Sequence, residues 1–453
     1  MRYIHALRPL AVRGRCGGGV MARAANCRAA AGFCLSSPAA LQLRRCYFSS
    51  TATSYEHVCE VQKDGLKVKV PTDLAVAGAK QQRDKLSFMW LRDNCRCSQC
   101  INQDTTQRNF ATFQLPLDIH PVEARADQAG VHVSWSDNHQ SQYTWDFLQQ
   151  YLYHGRRKEK NLPKKLWGAE IAENPPTVPY GEVMESDAGV AQVTANLMES
   201  GVCFINSVPS DDPLKTKTLL ERIAFIRETH YGGFYDFTPD LAMADTAYTN
   251  IALPAHTDTT YFTDPAGLQA FHMLSHKPAT PGGECWGGES LLVDGFRAAE
   301  VLRTEDKAAY EVLSKVALPW HASGNKGITI TPDKLYPVLE HKASGELHRV
   351  RWNNDDRGVV PLTAEGGEEF SPDEWYAAAR RFDEILRRKE MEYWFQLTPG
   401  RVVVFDNYRV LHGRAAFQGI RRMCGAYICR DDWVSRWLNT NYPRDEVLAA
   451  VRG

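Results

Sequence analysis

Two residues one position apart, His256 and Asp258, set the tightest condition on what this chain can fold into. On an extended backbone, positions i and i+2 face the same side. The stretch AYTNIALPAHTDTTYF, from Ala247 to Phe262, can therefore offer one imidazole nitrogen and one carboxylate oxygen to a single ion. A distant histidine added to that pair gives the two-histidine, one-carboxylate set that suits non-haem Fe(II), with three coordination positions open. The candidate is His412, in Phe405-Asp406-Asn407-Tyr408-Arg409-Val410-Leu411-His412-Gly413. It follows Arg401-Val402-Val403-Val404-Phe405, a buried-looking strand that can aim a side chain rigidly. Taken alone, His-x-Asp is a weak pattern, and a lone His412 reads more readily as a hydrogen-bonded turn histidine.

Other residues point to further parts. Arg421, if the chain turns back after His412, can bring a guanidinium to the same pocket and pair bidentately with a carboxylate. Ser290, after Gly287-Gly288-Glu289, can share that carboxylate from the start of a strand. A solvated surface arginine and a strand-edge serine are the plainer alternatives. Separately, Cys95-x-Cys97-x-x-Cys100 places three thiolates where they can wrap one Zn2+, and a fourth ligand would close a structural tetrahedron. Three reduced thiols in a loop remain the other reading.

With 453 residues the chain has room for two domains and a tail. Hydrophobic content of 43% and charged content of 24% are those of a soluble globular protein. A net charge of −1 gives no ground for a nucleic-acid or membrane-surface partner, and no apolar run is long enough to span a bilayer. From Met1 to Tyr55 there is no Asp or Glu, while arginines recur among Ala, Gly and Ser. Such a start reads as a mitochondrial transit peptide over residues 1–50, with matrix localisation and processing near 46–52 at Arg44-Arg45-Cys46-Tyr47-Phe48-Ser49-Ser50. Four of the twelve cysteines lie in that tail, and three of the rest crowd into Cys95–Cys100. That distribution fits a reducing compartment with one local metal site, not a disulfide framework.

Alternating runs at Leu66–Val70 and Val131–Trp135 predict a β-rich N-terminal domain over residues 55–155, with Arg156–Lys160 opening a linker. From residue 176 to 445 short strands and helices mix. Strands are expected at Gly201–Ile205, Ser290–Gly295, Arg401–Phe405 and Cys424–Cys429. Asp212-Pro213 opens one helix, a helical stretch follows Gly295 to about Val316, and Ser371-Pro372-Asp373-Glu374 opens another with a capping-box signature.

His256-x-Asp258 and His412, with Ser290 and Arg421, resemble the Fe(II)/2-oxoglutarate oxygenases of the taurine dioxygenase-like group. Trp90–Cys95, Val293–Phe296 and Asp406–Arg414 narrow the resemblance to the γ-butyrobetaine/trimethyllysine dioxygenase family, over about residues 60–440. Ile226–Gly232, Asp245–Thr249, His256–Phe262, Arg430–Asp432 and the transit-like tail are most similar to its trimethyl-lysine branch. The resemblance implies an α+β architecture: a double-stranded β-helix (jelly-roll) catalytic domain with outer helices, plus a small β-rich zinc-binding N-terminal domain. It implies Fe(II) on His256, Asp258 and His412, 2-oxoglutarate on Arg421 and Ser290, and His139 as the fourth zinc ligand beside Cys95, Cys97 and Cys100. The implied reaction is C3 hydroxylation of N6,N6,N6-trimethyl-lysine with O2, releasing succinate and CO2, in carnitine biosynthesis, by a homodimer with ascorbate as a possible reductant.

A trimethylammonium group has no N–H to donate, so an aromatic cage is expected, each ring worth roughly 0.5–2 kcal/mol. The resemblance assigns it to Tyr231, Tyr235, Tyr248, Tyr427 and Tyr261, with Asp245 for the α-amine. Ala244, Tyr235, Tyr408 and the long Pro278–Trp286 loop depart from the family pattern and bear on pocket shape. The competing readings are γ-butyrobetaine dioxygenase, a non-enzymatic zinc scaffold, and a zinc hydrolase with no need of O2.

Overall fold

Runs of Val, Leu and Phe too short for helices make the strands that carry this fold. The structure is a computed structural model and describes residues 58–75, 80–154, 160–238, 250–363 and 371–452. The strands of its two main sheets are, in chain order, β1 (Thr177–Pro179), β2 (Val202–Asn206), β3 (Tyr235–Phe237), β4 (Leu253–His256), β5 (Leu268–Lys277), β6 (Ser290–Asp294), β7 (Tyr393–Phe395), β8 (Arg401–Asp406), β9 (Val410–Arg414) and β10 (Ile420–Ile428). A six-stranded sheet runs β1-β2-β8-β5-β10-β3 and a four-stranded sheet β4-β9-β6-β7. Within them only β1 and β2 pair in parallel.

Both faces of the central strands are buried, which is why they read as continuous apolar runs. In β8, Val403 and Phe405 face the second sheet, where Leu292, Tyr393, Phe395 and Val410 meet them. Val402 and Val404 face the other way, into Val190, Val193, Leu197, Leu219, Trp433 and Trp437 from the covering helices Asp187–Ser200, Pro213–Ile223 and Arg430–Asn441. In β6 the same alternation sends Leu292 between the sheets. Leu291 and Val293 go outward, under Leu302, Leu313, Trp375 and Phe382.

Three expectations need correcting. The stretch from Gly295 to about Val316 is two helices, Gly295–Glu305 and Lys307–Lys315, because the Asp306 carboxylate accepts from the Ala309 N–H at 2.9 Å and starts a new helix. The helix after Ser371 forms as Pro372–Leu386, but the Ser371 side chain makes no capping bond. His412 lies in a strand of its own, β9, and not in a turn.

Upstream, strands Cys59–Gln62, Gly65–Val68 and Lys85–Leu86 form one small sheet, and Pro121–Asp127, Gly130–Trp135 and Gln140–Tyr143 another. Helices Phe88–Asp93 and Trp145–His154, which the alternation did not foretell, close a core of Leu66, Val68, Leu91, Val133, Trp135 and Leu148. The Tyr143 hydroxyl ties that sheet to the first helix by donating to the Leu91 carbonyl at 2.6 Å. The tail, its processing site, most of the expected linker, Asp245 and Tyr248 lie outside the described residues.

Candidate metal centres

Where β4 pairs with β9, His256 stands opposite His412, and the ring centroids are 4.3 Å apart. Gly413 permits this approach, since a Cβ there would lie 2.7 Å from the Leu253 carbonyl oxygen. Asp258 reaches the pair by a different route from the one its spacing predicts. The strand ends at His256, and Asp258 lies in the bend that follows. Its Oδ1 is 3.2 Å from His256 Nε2 and 3.7 Å from His412 Nε2. Donor atoms of all three residues fall within 4.8 Å of one another.

The surrounding bonds orient these donors. The Pro254 carbonyl can only accept, so His256 Nδ1 carries the proton it donates there at 2.8 Å, and Nε2 presents a lone pair. Asp258 Oδ2 accepts from Gln269 Nε2 and from the Tyr427 hydroxyl, both at 2.6 Å, which turns Oδ1 toward the histidines. Burial opposes ionisation of Asp258, but His412, His256 and Tyr427 outweigh it and hold the carboxyl well below its usual range. Burial, then the neighbouring His256, pushes His412 down to about 3. Burial opposes a charge on His256, but the Asp258 carboxylate beside its Nε2 outweighs it and raises its pKa, while His412 stays neutral. A metal held here would take the place of the proton that His256 and Asp258 otherwise share.

These three residues line a cavity of about 200 Å³ together with Ser290, Arg421, Tyr231, Tyr235, Tyr261 and Tyr427. Arg421, on β10, is buried, and its Nε has no hydrogen-bond partner among the described residues. Burial, then the Arg414 cation, lowers its pKa to about 10, so it stays charged at neutral pH. Gly288, at φ +76°, makes room for it: a Cβ there would stand 2.9 Å from Arg421 Nη1. A buried cation of this kind fits an anionic ligand. Tyr235 and Tyr427 meet edge to face at 5.9 Å, with the Tyr427 hydroxyl committed to Asp258 and that of Tyr235 to the Ala270 carbonyl. The sequence reading missed Arg414, Gln269, Asp355 and Asp356 on the cavity wall. For Arg414 a signal was present: it is two positions from His412 on the same strand.

A second cluster lies in the N-terminal region. Cys95, Cys97 and Cys100 place their sulfurs 3.3, 3.6 and 3.4 Å from His139 Nε2. A tetrahedron with ordinary Zn–S and Zn–N bonds has S···N edges of about 3.5 Å, so the donor set fits zinc. Without a metal, burial and then the Cys95 charge push the Cys100 thiol up to about 12. His139 comes from the turn at Asn138, which has φ +63°.

Comparison with known proteins agrees with this geometry. Residues 158–427 match the family described as taurine catabolism dioxygenase TauD, TfdA family. Residues 67–149 match the γ-butyrobetaine hydroxylase-like N-terminal family. The chain is 58% identical to trimethyllysine dioxygenase of Neurospora crassa, over 92% of this chain and 93% of that one. It is 36% identical to the Meyerozyma guilliermondii protein of the same name, over 88% and 100% of the two chains. It is 39% identical to the mitochondrial trimethyllysine dioxygenase of Homo sapiens, over 77% and 81%.

Proposed function

Since the chain belongs to the TauD/TfdA family of oxygenases, in its trimethyllysine dioxygenase branch, we propose that it hydroxylates N6,N6,N6-trimethyl-L-lysine at C3 in a mitochondrial step of carnitine biosynthesis. The observation that carries this is the convergence of His256, Asp258 and His412 on the wall of one cavity with a buried arginine and four tyrosines. In this reading the three donors hold Fe(II), which with bound 2-oxoglutarate and O2 supplies the oxidising chemistry, succinate and CO2 leaving as co-products.

Each residue of the chain then has a task. Arg421, assisted by Ser290, receives the distal carboxylate of 2-oxoglutarate. Arg414 adds a second cation on the same wall. Gln269 and Tyr427 keep Asp258 in one orientation. Tyr231, Tyr235 and Tyr261 offer aromatic faces to the trimethylammonium group, with Tyr248 and Asp245 as further candidates. The apolar walls, with Phe271, Phe395, Phe405 and Leu253, limit water near the reacting carbon.

Cys95, Cys97, Cys100 and His139 form a structural zinc site in this proposal. Residues 55–155 are the domain it stabilises and 176–445 the oxygenase domain. The tail over residues 1–50 directs the protein to the matrix, the active form is a homodimer, and ascorbate keeps the iron reduced. The test is turnover of trimethyl-lysine and γ-butyrobetaine side by side with Fe(II), O2 and 2-oxoglutarate. Preferred hydroxylation of trimethyl-lysine supports the proposal. Equal or better turnover of γ-butyrobetaine moves the assignment to that branch.

A further inference from the structure

Asp258 has lost the support that a β-ladder would give it. It lies two residues past the end of β4, and Thr259 after it holds φ +57°, a left-handed conformation that a β-branched residue rarely adopts. A strained bend at a ligand persists only where its surroundings over-determine it. The main-chain contacts of this bend show what does so. Thr257 N–H donates to the Trp352 carbonyl at 2.8 Å, and Trp352 N–H to Thr257 Oγ1 at 3.0 Å. Those bonds secure the residue between the two ligands. Asp258 itself is gripped from the other side, by Asn407.

Asn407 is buried, in the connection between β8 and β9. Its Oδ1 accepts from the Asp258 N–H at 2.8 Å. Its Nδ2 donates to the Asp258 carbonyl at 2.9 Å and to the Ala266 carbonyl at 3.1 Å. One amide therefore closes both main-chain groups of the carboxylate ligand, and both amide ends are used. The orientation is fixed by chemistry, since an N–H can meet only the oxygen and a carbonyl only the NH2. The same short connection leads directly into the strand bearing His412. We propose that Asn407 is a positioning residue of the metal centre: it locks the main chain of Asp258 to the hairpin that carries His412, and so sets metal affinity and the coupling of 2-oxoglutarate turnover to hydroxylation.

This rests on the metal-centre reading above, and the test separates the two. Divalent-metal affinity is measured anaerobically with Fe(II) and with Mn(II), beside melting temperature and the ratio of succinate to hydroxylated product. The variants are Asn407→Leu, Asn407→Asp and, as a stability control, Leu219→Ala, a cavity under the covering helices. Asn407→Leu is expected to weaken metal binding roughly 10- to 100-fold, the usual effect of removing a partner that orients a ligand. It should also raise the succinate-to-product ratio. Asn407→Asp keeps the acceptor for the Asp258 N–H but loses both donors, so it should fall between Leu and wild type. Leu219→Ala should lower the melting temperature with metal affinity unchanged. Asn407 variants that lose stability but match Leu219→Ala in affinity and coupling would overturn the proposal. If Asn407→Leu does not fold, wild-type affinity and coupling in Asn407→Asp would overturn it equally. Wild-type protein that binds no divalent metal would instead overturn the metal-centre reading on which it stands.

Discussion

At the scale of single residues, Asp258 decides the character of the site. Burial alone would neutralise it, yet two imidazoles and a phenol hydroxyl keep it ionised, and Gln269 and Tyr427 fix which oxygen faces the histidines. His256→Ala and Asp258→Ala should each abolish turnover while circular dichroism and melting remain near wild type, because both lie at the cavity wall and not in the core. Activity retained by either variant would remove that residue from the ligand set. Among the described residues Arg421 makes no ion pair with a carboxylate, and Glu289 acts on it only as a nearby charge. Truncating one side of a buried charged pair costs roughly 2 kcal/mol or more, or about 30-fold in affinity. Arg421→Ala should therefore raise the KM for 2-oxoglutarate by about that factor, and an unchanged KM would refute its assignment. That His256, Asp258, His412 and Arg421 gather at one cavity was expected from the family resemblance, residue type and spacing alone leaving His412 and Arg421 open. Gln269 and Asn407 were not, since an amide that grips a main chain far away in sequence leaves no local pattern.

At the scale of elements, the site depends on a turn braced from outside. Arg351 is buried and donates to the Thr260 carbonyl and, at 2.9 Å, to the Phe262 carbonyl, just beyond Asp258. Its Nε pairs with Glu340 at 3.1 Å, and Arg349 holds the same carboxylate in two bonds of 2.8 and 2.6 Å. Burial raises the Glu340 pKa, but the Arg349 bonds and the two arginine charges outweigh it and leave it lowered. A carboxylate depressed in the folded state adds stability above its unfolded pKa, and that stability is lost as pH falls through the folded value. Glu340→Gln should therefore cost about 3 kcal/mol at neutral pH, since it leaves buried guanidinium charge unpaired. The gap in melting temperature should narrow as pH drops below about 4.3, the ordinary glutamate value. A gap independent of pH would contradict the role given to the pair. Strands buried on both faces, such as β8, announced themselves as apolar runs. β9 did not, because His412, Gly413 and Arg414 interrupt its pattern. The helix break at Asp306 was hidden because capping aspartates look the same inside a helical stretch as on its surface.

At the scale of the whole molecule, two donor clusters lie in different parts of the fold. One belongs to the sandwich of two sheets and the other to the small N-terminal sheets, whose core, among the described residues, contains none from beyond position 154. Chemistry and stability should therefore separate. Cys97→Ser should lower the melting temperature, by about 4–8 °C for each kcal/mol lost in a unit of that size. It should leave the kcat of the folded fraction near wild type. No change in melting would count against the zinc site, and loss of kcat without loss of stability would count against the division.

Whether the iron chemistry proposed for this cavity takes place can be read from the fate of the oxygen atoms. With 18O2, trimethyl-lysine and 2-oxoglutarate, one labelled oxygen should enter each succinate, with hydroxylated product formed in equal amount. Succinate without label, or hydroxylation that proceeds without O2, would contradict that chemistry.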